Sequence, residues 1–292
     1  MTGRRLRIRC RPIHDADINP VVDLLLKSGF SGNRNFWVRG LARLAAHPTP
    51  PGYPKYGFLL EANDIPVGVL LTITTQTADD DRVQVRCNFC SWFVWPAFRS
   101  YATLLVSRAL RHKEATYLNL SPLPFTWSIL AAQGFTRYCS GRFLALPGLR
   151  WGPREVRVVR ITPQTDLATF DLTQSAVELL RQHVNYGCIG VIVTAGVRHY
   201  PFLFDLHWKY RFVHLAYLAY CPSFDDFVRF AGPVGRHLAR RGYPLVVIDA
   251  NGPIAGLVGH YWDSSPKYFK GPDRPRLGDL AYTEQIIFGL IA

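Results

Sequence analysis

"VWPAFRSYATLL", Val94 to Leu105, decides how the rest of the chain is organised. It begins as apolar strand, turns through Pro96 and Arg99, and leaves as an amphipathic helix. A strand that feeds a helix through a short turn suits phosphate binding, because the first N–H groups of a helix have no partner inside it. Such turns normally carry glycine so that the backbone can approach the anion. This one has none.

The surroundings read in both directions from that turn. Before it, "VQVRCNFCSWF" (83–93) is a long strand. "KYGFLLEA" (55–62) and "IPVGVLLTITTQT" (65–77) form a hairpin joined at Asn63-Asp64, both turn-forming residues. "RLRIRCRPI" (5–13) alternates, with Leu6, Ile8 and Cys10 on one face and Arg7, Arg9 and Arg11 on the other. It reads as a half-buried strand near a sheet edge. Two amphipathic helices, 14–29 and 33–47, follow it. After the turn, a helix runs to Lys113. "TYLNLS" (116–121) is a short strand, "FTWSILAAQGF" (125–135) a helix closed by Gly134, and "TRYCSGRFLALPG" (136–148) the last strand of this half.

The stretch "LPGLRWGPREV" (146–156) marks a boundary near residue 150. Beyond it the order of elements partly repeats. "WFVWPAFRSYATLLV" and "AYLAYCPSFDDFVRF" superpose with Pro96 over Pro222 and Phe98 over Phe224, an offset of 126. The shared unit (long strand, proline, helix, short strand) points to a tandem duplication. Ser223 with Asp226 starts the second helix, and Pro233 is expected to kink or restart it.

The chain has 292 residues, 48% hydrophobic and 19% charged, a globular composition long enough for two domains. No uncharged run reaches the ~18 apolar residues of a membrane span. The basic start is not followed by the apolar core of a secretory signal. A soluble cytoplasmic protein without membrane association is expected.

The six cysteines are scattered, and only Cys87 and Cys90 have metal-like spacing. In a strand they point to opposite faces and they lack a second pair, so buried thiols and no metal are expected. The net charge is +13, from 28 Arg and 6 Lys. Residues 1–150 carry 19 basic and 9 acidic groups; residues 151–292 carry 15 and 12. An anion such as a nucleotide cofactor, a phosphorylated substrate or RNA would be drawn to the first half, while a solvated arginine-rich surface explains the charge equally well. The dinucleotide-binding, P-loop, G-x-S-x-G and HExxH patterns are all absent.

The order of the first half resembles the GCN5-related N-acetyltransferases. The hairpin "FLLEANDIPVGVLL" is similar to that family's second and third strands, with Gly68 in its usual place. "AAQGF" is similar to its "GF" after the last helix, and "FVWPAFRSYATLLV" sits where its acyl-CoA loop belongs. A weaker version covers 155–292. The resemblance implies an α/β (mixed α+β) chain of two tandem domains, 1–150 and 151–292. Each has a central mixed, mostly antiparallel sheet flanked by helices.

The resemblance also implies acyl transfer from acetyl-CoA or another acyl-CoA to a small-molecule or peptide amine. The cofactor-binding residues it suggests are Phe93, Val94, Arg99, Ser100, Tyr101, Ala102, Thr103 and Leu104. The loop keeps Arg99 of the family's [RQ]-x-x-G-x-[GA], with Ala102 and Leu104 at the small positions. Leu104 adds bulk where the ligand approaches. The family's asparagine and tyrosine around the last helix are replaced by Leu123 and Leu130.

Glu61 is a candidate general base or a solvated hairpin residue, the second reading being preferred. Asn119 and Ser121 are candidates to position an amine, or simply the start of the next helix. "RFAGPVG" (229–235) has R-x-x-G spacing but reads as mid-helix. A catalytically silent binding module is the alternative to an enzyme. So is an aminoacyl-tRNA-dependent tandem transferase, although nucleic acid is not favoured.

Overall fold

The computed structural model describes residues 6–79, 82–153, 155–209 and 213–289. The chain opens with β1 (Ile8–Pro12) and helices α1 (Ile18–Lys27) and α2 (Arg34–Ala46). Three antiparallel strands follow: β2 (Gly57–Ala62), β3 (Ile65–Asp79) and β4 (Arg82–Val94). Next come α3 (Ala102–Ala109), β5 (Thr116–Asn119), α4 (Trp127–Ala132), β6 (Thr136–Cys139) and β7 (Gly141–Ala145). The second half contains β8 (Arg157–Ile161), α5 (Gln174–Asn185), β9 (Ile189–Ala195), β10 (Arg198–Lys209) and β11 (Val213–Tyr220). It ends with α6 (Phe224–Ala239), β12 (Leu245–Ala250), β13 (Gly259–Trp262), β14 (Lys267–Lys270) and α7 (Glu284–Ile287).

Local chemistry explains most of these elements. Asn63 and Asp64 have φ of 49° and 64°, the left-handed pair that a two-residue hairpin turn needs. Asn33 caps α2 by accepting from Phe36 N at 2.9 Å, and Thr173 caps α5 by accepting from Ala176 N at 3.3 Å. Each such cap stabilises by about 1 kcal/mol. Gly134, at φ 81°, ends the α4 turn. Gly68 is required because a Cβ there would lie 2.9 Å from Val94 Cγ2 on the neighbouring strand. Helix α6 runs unbroken through Pro233.

The two seven-stranded sheets have the orders β1-β2-β3-β4-β5-β14-β6 and β13-β7-β12-β11-β10-β9-β8. Both are mixed and mostly antiparallel. Each has a parallel pair in its middle, β4 with β5 and β11 with β12. β1 stands at an edge, as its alternation predicts.

The sixth position of each sheet is filled by exchange. β14, from near the end of the chain, lies beside β5, and β7, from the middle, lies between β12 and β13. The segment 136–148 is therefore not one strand of the first half. It is two strands in different sheets, separated at Ser140. The chain divides into one unit of 1–136, 268–274 and 282–292 and another of 137–267 and 275–281. The change of unit comes earlier than the Pro/Gly stretch near residue 150, because β7 pairs with β12 and β13.

In the first unit, Leu60, Leu70, Cys87, Phe89, Leu105, Val106 and Leu130 form the core on one sheet face. In the second, Val191, Phe202, Phe204, Phe227, Phe230 and Val234 pack together. Of the six cysteines, Cys10 is half-buried and the rest are buried, all as thiols. Among the described residues, no helix is long and apolar enough to cross a membrane, and no group of three or more His, Cys, Asp or Glu is placed to hold a metal ion.

Candidate active site

The parallel strands β4 and β5 stay paired from Arg86↔Thr116 to Phe89↔Asn119, and then β5 stops while β4 continues to Val94. The sheet opens at that point. β4 also bulges there. Val69 pairs with Phe93 and Leu71 with Cys90, so Ser91 and Trp92 together face Leu70. Ser91 takes φ of 50°, a left-handed conformation that costs a serine roughly 1–2 kcal/mol. A bulge frees backbone groups from the ladder and re-aims them. Here it does so where the two strands part.

A polar cluster lies beside the opening. Asn88 of β4 is buried, and its Nδ2 donates to Glu284 Oε2. Ser121, two residues beyond β5, donates through Oγ to Glu284 Oε1 at 2.9 Å. Glu284 is only 2% exposed, whereas Ser121 is exposed. Asn88 Oδ1 is buried without a partner among the described residues. Burial, and then the Glu284 charge, hold the neighbouring Cys90 thiol well above its ordinary pKa. The hydroxyl thus links solvent to a buried anion. Residues 282–289 carry Glu284 into place. Phe288 fills the space beside Gly40 of α2, where a Cβ would come within 2.1 Å of its ring.

The residues singled out from the sequence divide around this cluster. Ser121 belongs to it. Asn119 pairs with Phe89 on one side and Tyr268 on the other, and its side chain makes no hydrogen bond among the described residues. Glu61 is not a solvated hairpin residue. It is 6% exposed and bound by Arg11 through Nε at 3.0 Å and Nη2 at 2.6 Å. Arg11 also grips Asp17 at 2.6 and 2.8 Å, and this bonding pulls the Asp17 pKa down. Glu61 therefore ties β2 to β1 and is committed to a structural ion pair. No sequence signal points to Glu284, because nothing near Thr283-Glu284-Gln285 suggests a site.

Phe93 and Val94 lie in β4 just past the bulge, paired with Val69 and Gly68. The turn differs from the expected open helix start. Pro96–Tyr101 is a 3-10 helix, with Phe98 N bonded to Trp95 O at 2.8 Å and Ala102 N bonded to Arg99 O. Those N–H groups are consequently in use. Arg99, Ser100, Thr103 and Leu104 are exposed, Leu104 at 41%, while Tyr101 and Ala102 are half-buried. Arg99 supplies a cation with no acidic residue in the first turn of α3.

The corresponding place in the second unit is filled. Lys267 Nζ lies 3.3 Å from Asp249 Oδ1, and both side chains are almost wholly buried. Tyr217 donates to Asp249, and Arg142 Nε donates to Tyr217 Oη at 3.0 Å. Asp225 and Asp226 occupy the first turn of α6 and would repel an anion there. Arg229 and Gly232 lie mid-helix. Gly232 and Gly235 admit the segment 147–150, since a Cβ on them would fall 2.2 Å from Arg150 O and 2.3 Å from Gly148 N.

A sheet that splays between β4 and β5 beside a bulged β4, in a chain whose second sheet also carries a central parallel pair and an exchanged strand, restricts the choice of fold. Among solved structures the chain is similar to a GCN5-related N-acetyltransferase from Kribbella flavida, with TM-score 0.58, 16% identity, and 90% of this chain and 71% of that one covered. The fold is that of the GCN5-related N-acetyltransferases. A second such protein, from Anabaena variabilis, gives a TM-score of 0.59 at 10% identity, covering 90% and 72% of the two chains. A protein from Pyrococcus horikoshii, described as a candidate acetyltransferase, gives 0.57 at 15% identity and covers 97% and 95%. Compared by sequence, the chain matches no protein-family model and no curated protein.

Proposed function

We propose that the first unit is an acyl-CoA-dependent N-acyltransferase site. The observation that carries this reading is the contact from exposed Ser121 to buried Glu284, at the place where β4 bulges and leaves β5. An acyl thioester laid between the strands would direct its carbonyl at backbone N–H groups of the bulge, which would stabilise charge developing on that oxygen. The amine nitrogen attacks the carbonyl carbon. The C–N bond forms, the C–S bond breaks, and the thiolate leaves and takes up a proton. The proton lost by the amine passes through the Ser121 hydroxyl to Glu284. Holding the two reactants together in the cleft supplies much of the rate.

The donor's phosphates would rest on Arg99 more than on the backbone, because the 3-10 helix uses the N–H groups that a glycine-rich loop would offer. That same observation favours the second reading, a catalytically silent binding module. Thermal unfolding with CoA and acetyl-CoA tests for a bound donor, since a ligand at ~100 times its Kd stabilises by about 2.7 kcal/mol. Thiol release from acetyl-CoA in the presence of an amine panel is the second measurement. Stabilisation with amine-dependent release supports the enzyme. Stabilisation without release supports the silent module, and the absence of both effects overturns an acyl-CoA site in this unit.

A further inference from the structure

The second unit carries a groove that acyl transfer in the first does not use. It encloses about 460 Å³, within the range of small-molecule sites. Val156, Val158 and Pro233 make it apolar on one side, and Arg236, His237 and Arg240 of α6 make it basic on the other. Trp151 also lines it and is 90% exposed, the most exposed large apolar side chain among the described residues. The loop bearing Trp151 is held against α6. Arg236 Nη1 donates to Gly148 O at 3.3 Å and Arg150 O at 3.2 Å, and Gly152 lies so close to Pro233 that a Cβ would come within 2.7 Å of its ring.

Two features separate this groove from an ordinary solvated helix face. Arg160, Arg236, Arg240 and Arg241 have no carboxylate partner among the described residues. His237 Nε2 is buried without a hydrogen bond. Burial and the charges of Arg241, Arg240 and Arg160 hold the His237 pKa down to about 4, so its ring is neutral near pH 7 and can either give or take a hydrogen bond.

We propose that this groove binds a nucleotide, with its base stacked on Trp151 and its phosphate held by Arg236 and Arg240. Uncompensated guanidinium groups repel one another, and a bound phosphate removes that repulsion while accepting their hydrogen bonds. An exposed indole beside them offers a π-face to any base, and arginine adds to such stacking. The apolar side accommodates the uncharged part of the ligand, and His237 Nε2 gains the partner it lacks. A free mononucleotide and a single-stranded RNA present the same chemistry.

The test is binding of AMP by calorimetry and of a dye-labelled single-stranded RNA by anisotropy, at about 50 mM and about 200 mM salt. Trp151→Ala and Arg240→Glu change exposed side chains, and circular dichroism checks that both variants fold. Each variant is expected to weaken binding by about tenfold or more, and Arg240→Glu also to flatten the salt dependence. Inorganic phosphate alone should bind more weakly than AMP and be indifferent to Trp151→Ala. Loss of AMP binding in both variants identifies a mononucleotide site; loss of RNA binding alone identifies the polymer as the source. Wild type that binds neither probe, or variants that bind both probes as wild type does, would overturn the proposal. Trp151→Ala should leave amine-dependent thiol release from acetyl-CoA unchanged, a readout that nucleotide binding in this groove does not supply, so the groove and the acyl site stand or fall separately.

Discussion

Ser121 Oγ donates to Glu284 Oε1 at 2.9 Å although 163 positions separate the two residues. One is exposed and the other is 2% exposed, so a single hydroxyl connects the cleft to a buried carboxylate. Asn88 holds the second carboxylate oxygen. The arrangement allows a proton to move inward without exposing the anion to bulk water.

Glu284→Gln keeps the shape and hydrogen-bonding capacity of that side chain and removes its basicity. If Glu284 receives the amine proton, kcat/KM should fall by about 10²–10⁴-fold with little change in acyl-CoA affinity. Ser121→Ala should lower kcat in the same direction. Steady-state kinetics on folded variants decides the matter, and unchanged kcat in both would make the pair purely structural.

Arg99→Ala removes the exposed cation that precedes α3. Acyl-CoA binding should weaken by about tenfold, and the wild-type affinity should fall more steeply with salt than that of the variant. The measurement is calorimetric titration at two ionic strengths. Equal affinities at both would place the donor phosphates elsewhere.

Lys267→Met leaves Asp249 buried without its ammonium partner, 3.3 Å away in the wild type. Removing one member of a buried pair costs about 3–5 kcal/mol. The double variant Lys267→Met/Asp249→Asn should recover a substantial part, because the Asn can still accept from Tyr217. Urea denaturation of the two variants and the wild type gives the comparison.

Gly235→Ala in an exposed helix would stabilise by about 1 kcal/mol. In α6 the new Cβ would lie 2.3 Å from Gly148 N and 2.6 Å from Pro147 C, backbone atoms that cannot rotate away. The expected result is a loss of about 1–3 kcal/mol by chemical denaturation. A gain in stability would show that the 147–150 segment gives way easily.

Alkaline pH should destabilise the chain. Burial raises Cys87 and Cys221 from 9.0 to about 12 and likewise holds Cys90 well above 9.0. Tyr217 is also held well above its usual 10.0, by burial first and then by the Asp249 charge. The unfolded chain releases these protons first, so above pH 9 it binds fewer protons than the native state. The stability from these groups is complete below about pH 9 and declines as pH rises toward about 12. Thermal unfolding from pH 8 upward should show that decline. A thiol reagent should meanwhile reach at most Cys10 before unfolding, because the other five thiols are buried.

Much of the fold is legible in the sequence because it is local. The Asn63-Asp64 hairpin, the alternation of β1, the Ser223 cap of α6, and the strand-Pro-helix unit repeated at Pro96 and Pro222 follow from turn conformations, capping and side-chain period. Those signals also give the tandem, mixed-sheet architecture. What they do not contain is the choice between partners far apart in the chain. β14 has four residues, and β7 follows β6 after Ser140 alone. Nothing in such short apolar runs says which sheet they join, because either sheet would satisfy the same backbone hydrogen bonds. Only the assembled core makes one pairing better, and it exchanges the two strands. The return of the chain brings Glu284 to Ser121, the pairing of β1 with β2 sets Glu61 against Arg11, and the segment after Val94 closes into a 3-10 helix rather than the expected open turn. The sequence carries the elements and their repetition. The tertiary structure decides which charges meet, because a buried carboxylate is set by every group that surrounds it.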